Sequence, residues 1–219
     1  MVFITAAILN YNGLDTLKES IDSVLEQTLK PDRFVVIDNA STDNSRQIAV
    51  DMGIEVVDAD NRFKFITGLN TAMALNQDRL FFMQNDVILD KDCLKNMMMF
   101  TPYKEFIAQP VIYQTDGKID NAGMDIYWPG YGIRRNKEWW NKLSPYQNCG
   151  LVTTICFLTN LKKHRYSIEF SPAYYEDLSF KLEYPKVGHY LIPDAKAIHK
   201  GNHTFSQTYK NMEISRICR

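Results

Sequence analysis

The feature that most constrains this chain is a change of hydrophobic period, repeated along its first ninety residues. Val2 to Leu9 is a nearly continuous apolar run, as expected of a strand buried on both faces. Leu17, Ile21, Val24, Leu25 and Thr28 then recur at helical spacing, and Thr16 with Glu19 has the pattern of a capping box at that helix start. A second apolar run, Phe34-Val35-Val36-Ile37, stops at Asp38. Residues 41–52 read as a helix closed by Gly53, and Ile54 to Val57 as a third strand. Leu69, Ala72, Met73 and Leu75 suggest another helix before a fourth strand at Leu80 to Met83. Strands alternating with helices predict right-handed crossovers and a parallel sheet, an α/β fold.

After residue 100 the pattern thins. Ile107 to Tyr113 reads as a strand, and 114–150 is rich in Gly, Asn and aromatics. Leu151 to Leu158 is apolar, Tyr175 to Tyr184 has helical spacing, and His189 to Ile192 reads as a short strand that Pro193 ends. The expectation is a smaller mixed-sheet region packed on the first half. With 219 residues, one domain can bury a sufficient core.

Bulk properties remove several function classes. A formal net charge of −1 argues against a surface that coats nucleic acid or membrane. The four cysteines, Cys93, Cys149, Cys156 and Cys218, include no CxxC pair, so free thiols in a reducing compartment are expected. The N-terminus has no basic n-region and turns polar at Asn10, so it reads as neither signal peptide nor transmembrane segment. Together these predict a cytoplasmic protein. The glycosylation sequons at Asn39 and Asn202 are read as chance.

Three predicted strands end in conspicuous polar groups: Asn10-Tyr11-Asn12, Asp38-Asn39 and Gln84-Asn85-Asp86. In an open parallel sheet, ligands bind beyond the carboxyl ends of the strands. Asn and Asp are also good turn and capping residues, so each end alone supports either reading; three along one rim favour a ligand. No GxGxxG follows the first strand and no GxxxxGK[ST] occurs, which argues against a dinucleotide fold or a P-loop. A carboxylate at a strand end with a divalent cation is the other common way to neutralise phosphates.

NYN at 10–12, DNASTD at 38–43, Asn61 with Gly68-x-Asn70, NDV at 85–87, AGMD at 122–125, YEDLSF at 175–180 and HxG at 199–201 occur in one order along the chain. In these motifs the chain resembles the family 2 inverting glycosyltransferases of the GT-A fold, especially their rhamnosyltransferase-like branch. The resemblance covers essentially the whole of 1–219. It implies one GT-A domain, with a nucleotide-sugar-binding half at 1–100 and an acceptor and catalytic half at 101–219. Leu9, Asn10, Tyr11, Asn12 and Asp38 would contact the uridine or thymidine of a UDP- or dTDP-linked donor. Asn70 and Asn85 would lie in the nucleotide-binding segment. Asp86 and His199 would hold Mn²⁺ or Mg²⁺ on the diphosphate, and Asp177 of the Glu176-Asp177 pair would be the general base.

The chain also departs from the family pattern. Gln84-Asn85-Asp86 stands where the strong metal motif has two acids. Ser179 replaces a second Asp, Glu183 stands at a common Arg, and FKFITGLN replaces a GFAGGN stretch.

Inverting transfer needs a base for the acceptor hydroxyl and a cation on the leaving diphosphate. A carboxylate within hydrogen-bond reach serves as the base. Neighbouring residues on a helix face different directions, so one of Glu176 and Asp177 is expected to act. Acids are equally at home at a helix N-terminus. The aromatics Trp128, Tyr131, Trp139, Trp140 and Tyr146 offer flat faces to a glycan or other hydroxyl acceptor, or pack as core. The competing readings are a sugar nucleotidyltransferase, disfavoured by NYNGLD after the first strand, and a catalytically degenerate domain that binds nucleotide sugar or glycan without turnover. A modified DNA base as acceptor draws no support from the charge.

Overall fold

Residues alternating along a strand point to opposite faces, so a strand apolar throughout must be covered on both. That requirement organises the fold. The computed structural model of the chain describes residues 2–60, 62, 64–75, 78–100, 102, 104–127, 131–134, 147–171 and 175–201. Strand β1 (Ile4–Asn10) is buried at every position. It pairs in parallel with β2 (Arg33–Asp38) on one side and β4 (Arg79–Gln84) on the other. β3 (Glu55–Asp58) extends the sheet in parallel beyond β2. The chain thus leaves β1 in one direction and returns on its other side, and β1/β4 is a topological switch point, the place where open α/β sheets bind ligands.

Two apolar layers cover the sheet. Ala6, Ile8, Phe81, Met83 and Leu158 pack with Leu17, Ile21 and Val24 of α1 (Leu17–Leu25), Ala49 of α2 (Ser45–Asp51), and Cys93, Leu94 and Met97 of α4 (Cys93–Met98). On the other face Ala7, Leu9, Val35, Ile37, Phe82 and Phe157 pack with Ile66, Leu69, Ala72 and Met73 of α3 (Phe65–Met73), and with Phe180 of α5 (Glu176–Glu183). Phe82 and Phe157 stack with centroids 4.9 Å apart. Emptying such a fully buried site by a Phe→Ala change costs about 3–5 kcal/mol.

The second half adds its strands to the same sheet. β5 (Val87–Leu89) follows β4 directly, and β6 (Phe106–Tyr113), β11 (Cys156–Thr159) and β12 (Gly188–His199) complete the order β12-β6-β11-β4-β1-β2-β3. β11 runs antiparallel between β4 and β6, while β12 is parallel to β6. β7 (Ile119–Asn121) pairs with β6, β10 (Gln147–Asn148) and β5 pair with β12, and β8 (Met124–Tyr127) with β9 (Tyr131–Arg134) forms a separate two-stranded sheet. The expected mixed region is therefore laterally continuous with the first half.

Two local expectations are corrected. Pro193 does not end the last strand, because the ladder to β6 shifts register between Ile192 and Lys196. The proline lies within that irregularity, where no ladder N–H is required of it. β12 consequently continues to His199, delivering it to the rim formed by the carboxyl ends of β1 and β4. Thr16 does occupy the N-cap of α1, but its side chain makes no capping bond. The helix start is closed instead by Gly13 O, which accepts from the N–H groups of Thr16 and Leu17, and Glu19 pairs with Lys200.

The closure of α2 by Gly53, at φ +71°, is as expected. Among the described residues no helix is long and apolar enough to cross a membrane. Cys93, Cys149 and Cys156 are buried. Trp128, Trp139, Trp140, Tyr146, Asn61, Cys218 and the Asn202 sequon lie outside the described residues.

Candidate active site

The ends of β1 and β2 are bound together by their own polar groups. Asn10 is fully buried, and its Nδ2 donates to Asp38 Oδ1 (2.9 Å), Ser45 Oγ (2.8 Å) and Ser41 Oγ (3.1 Å). Asp38, 3% exposed, also accepts from the Ser41 hydroxyl at Oδ1 and from the Ser41 N–H at Oδ2. Asn12, with φ +49°, donates its N–H to Ser41 Oγ and accepts at Oδ1 from the Thr42 N–H. Asn39 is buried and donates to Lys64 O, so the first sequon is inaccessible.

The Asn10 side chain thus fixes the loop itself. Leu9 is likewise in the core, leaving only its backbone to meet a ligand. Tyr11 is half-buried between the two bracing asparagines.

The departures at 84 and 85 have a physical reason. Asn85 Nδ2 donates to Asn10 Oδ1 across the switch point at 2.8 Å. Asn10 Oδ1 can only accept, because the Nδ2 of that amide is committed to Asp38 and the serines. Gln84 Nε2 donates to the carbonyl of Thr154 at 3.3 Å. An acid at either position would direct a carboxylate at an acceptor, an arrangement that costs free energy when desolvated. Gly13 completes the packing: a Cβ there would sit 2.1 Å from Asn85 Nδ2 and 2.5 Å from Asn10 Oδ1.

Asp86 is the acid left over, and the structure brings it to His199. His199 Nε2 lies 3.2 Å from Asp86 Oδ2, and its Nδ1 lies 3.0 Å from Asp120 Oδ2. Burial lowers the affinity of this ring for a proton. Hydrogen bonds to Asp120 and Asp86, with the charge of both, outweigh it and raise the pKa to about 9. The backbone fastens the pair, since Lys200 N–H donates to Asp86 O at 2.9 Å.

Asp86 Oδ1 is buried with no hydrogen-bond partner. A buried carboxylate oxygen without a donor is costly, and a divalent cation would satisfy it while displacing the proton on Nε2. The donor set of one carboxylate and one imidazole fits Mn²⁺ or Mg²⁺ with phosphate oxygens and water completing the shell. Among the described residues no three His, Cys, Asp or Glu side chains form a metal cage.

The Glu176-Asp177 pair opens α5 after Tyr175, whose backbone is left-handed at φ +64°. The two acids differ. Glu176 is buried and accepts from Thr154 Oγ1 at 3.0 Å, while Asp177 is half-buried. Thr154 therefore ties the start of α5 to Gln84 at the end of β4.

Asn70 has a structural task in the fold. Its amide is a two-way clamp on the backbone of Tyr166, donating to Tyr166 O (2.9 Å) and accepting from Tyr166 N–H (2.8 Å). Tyr166 in turn stacks on Phe180 of α5, centroids 4.5 Å apart. Asn70 thus supports the helix that carries Asp177. Asp120, Ser41 and Thr154 escaped the sequence reading. Ser41 lies within the DNASTD motif already singled out; Asp120 and Thr154 carry no local signal.

Comparisons with known proteins identify the family and the fold. The family described as "Glycosyl transferase family 2" matches residues 5–154. The O-antigen chain rhamnosyltransferase RfbN of Salmonella typhimurium is 32% identical over 102 residues, which are 44% of this chain and 32% of that enzyme. Among solved structures, GalNAc-T7 with UDP, GalNAc and Mn²⁺ superposes with a TM-score of 0.73 at 14% identity, over 93% of this chain and 44% of that one. TarS of S. aureus in complex with UDP-GlcNAc gives 0.65 at 15% identity, over 94% and 61%. The matched region spans about a third of the curated relative and less than two thirds of each solved chain.

Proposed function

The chain belongs to glycosyl transferase family 2, and from that premise we propose that it moves a sugar from a UDP- or dTDP-linked donor to a hydroxyl of a glycan acceptor, with inversion and with a divalent cation. The observation that carries this reading is the meeting of Asp86 and His199 at 3.2 Å beside a buried, unpartnered carboxylate oxygen. Residues 1–100 would hold the nucleotide and 101–219 the acceptor. The Asp38 loop, preset by Asn10, Asn12 and Ser41, would receive the base. Asp86 and His199 would hold Mn²⁺ or Mg²⁺, which when bound neutralises charge on the leaving diphosphate.

In the reaction the acceptor oxygen forms a bond to the anomeric carbon as the bond to the diphosphate oxygen breaks. The nucleoside diphosphate departs with that electron pair, and the acceptor proton passes to a carboxylate. Asp177 is the choice for this base because Glu176 is buried and engaged by Thr154. Glu176 would instead hold the start of α5 against the end of β4. The amides at 84 and 85 are explained by their acceptor partners, so they lend no weight to the degenerate-domain reading.

GalNAc-T7 was solved with UDP and Mn²⁺ and TarS with UDP-GlcNAc, so UDP-sugars with Mn²⁺ are the first donors to try, followed by the dTDP-sugars that the sequence motifs also imply. The test is a donor panel with glycan acceptors, reading nucleotide release and, by NMR, the anomeric configuration of the product. Turnover with inverted configuration supports the proposal. Nucleotide binding without turnover on any donor, or retention of configuration, contradicts it.

A further inference from the structure

His199 meets a second carboxylate that the sequence motifs do not include. Its Nδ1 lies 3.0 Å from Asp120 Oδ2, and the Asp120 side chain is only 10% exposed. Asp120 belongs to β7, a three-residue strand on the edge of β6. The neighbouring Asn121 anchors that strand. It is fully buried, and its Oδ1 accepts from Gln109 Nε2 at 2.9 Å and from the Gly123 N–H at 2.8 Å. Gln109 accepts in turn from the Thr153 N–H at 2.9 Å. An amide network thus fixes the hairpin whose outward residue is Asp120.

We propose that Asp120 is the positioning residue of the cation site, holding His199 by Nδ1 so that Nε2 is presented, together with Asp86, to a divalent cation. This rests on the metal reading given above. An imidazole turns about its Cβ–Cγ bond, and it offers a fixed lone pair only when its other nitrogen is held. Carboxylates that accept the second N–H of a metal-bound histidine set both its tautomer and its orientation. Asp120 is not a third ligand, because it faces Nδ1 while Asp86 faces Nε2, with the ring between them.

The test uses the full chain, with Mn²⁺ as the probe and UDP present. Free Mn²⁺ is measured by electron paramagnetic resonance for the wild type and for Asp120→Ala, Asp120→Asn and Asp86→Ala. Asp120→Ala is expected to weaken Mn²⁺ about 10–100-fold, the usual cost of losing such a partner. At saturating Mn²⁺ its pulsed spectrum should lose the ¹⁴N coupling of a ligated imidazole that the wild type shows. Asp120→Asn, which keeps an acceptor oxygen, should fall between the two and serves if the alanine variant does not fold.

The proposal is overturned if the Asp120 variants bind Mn²⁺ like the wild type while Asp86→Ala does not. It is also overturned if affinity falls but the ¹⁴N coupling persists unchanged, because His199 would then be presented to the cation without Asp120 to hold it. If the wild type binds no Mn²⁺, or Asp86→Ala binds it equally well, the metal reading has failed and the role of Asp120 falls with it.

Discussion

The two ends of the rim solve opposite problems. At the β1–β2 end, Asn10, Asn12, Asp38 and Ser41 use their polar atoms on one another. At the β4–β12 end, a carboxylate oxygen is left buried without a donor at Asp86. Satisfied polar networks stiffen a loop and fix a shape. An unsatisfied acceptor costs stability and persists where something is meant to bind. Under the proposed function the first end would be a preformed mould and the second a cation site. Disturbing the mould should cost stability first, whereas disturbing the site should cost ligand binding or turnover at little cost to the fold.

The largest expected effect is on chemistry. Asp177→Asn should lower turnover by about 10²–10⁴-fold, the range for losing a general base. Nucleotide affinity and the unfolding midpoint should not move. Steady-state kinetics with nucleotide titration would check this, and a variant of near-normal turnover would remove Asp177 from the mechanism. Next, Asn10→Ala should destabilise the fold by about 2–4 kcal/mol in urea unfolding, because it strands Asn85 Nδ2 and removes the amide that donates to Asp38 Oδ1, Ser45 Oγ and Ser41 Oγ. A loss under about 0.5 kcal/mol would mean the network is not rigid.

Asn85→Asp sharpens the comparison, since it recreates a two-acid motif. It should cost about 1–3 kcal/mol through the carboxylate facing Asn10 Oδ1, without tightening Mn²⁺. Tighter Mn²⁺ binding at unchanged stability would show that the amide is not demanded by its neighbour.

The most gradual effect is a pH slope at His189, which is buried in the second half. Burial, then the charge of Lys181, pushes its pKa down to about 3, and its Nδ1 accepts from the Val152 N–H at 3.1 Å. The unfolded chain binds a proton below about 6.5 that the folded chain refuses until about 3. The stabilisation is therefore complete above pH 6.5 and is lost as pH falls through that window, by about 1.4 kcal/mol per unit. His189→Asn should flatten this slope relative to wild type in urea unfolding between pH 7 and 5. An unchanged slope would place the acid sensitivity elsewhere.

The parallel half of the sheet was legible because its strands are long apolar runs and its helices show their own period. Asp86 and His199 were legible through motifs at strand ends. What escaped depends on distant partners. Pro193 signals a strand end locally, and only the shifted ladder to β6 shows why β12 runs through it. α4 is six residues long, too short for a periodic signal. Asp120 reaches His199 only because β7 folds back on β6. Gln84 and Asn85 looked like erosion of a metal motif until their acceptors, Thr154 O and Asn10 Oδ1, came into view. That Asn10 and Asn70 brace Asp38 and Tyr166 could be seen only in the fold.

The central claim is that Asp86 and His199 form the charge-requiring end of a nucleotide-sugar site. Its most direct test is the calorimetric titration of UDP with and without Mn²⁺, for the wild type and for Asp86→Ala. The account predicts that Mn²⁺ tightens UDP binding to the wild type at least tenfold, and that Asp86→Ala loses this gain while keeping its metal-free affinity and its unfolding midpoint. A full Mn²⁺ response in Asp86→Ala would contradict it.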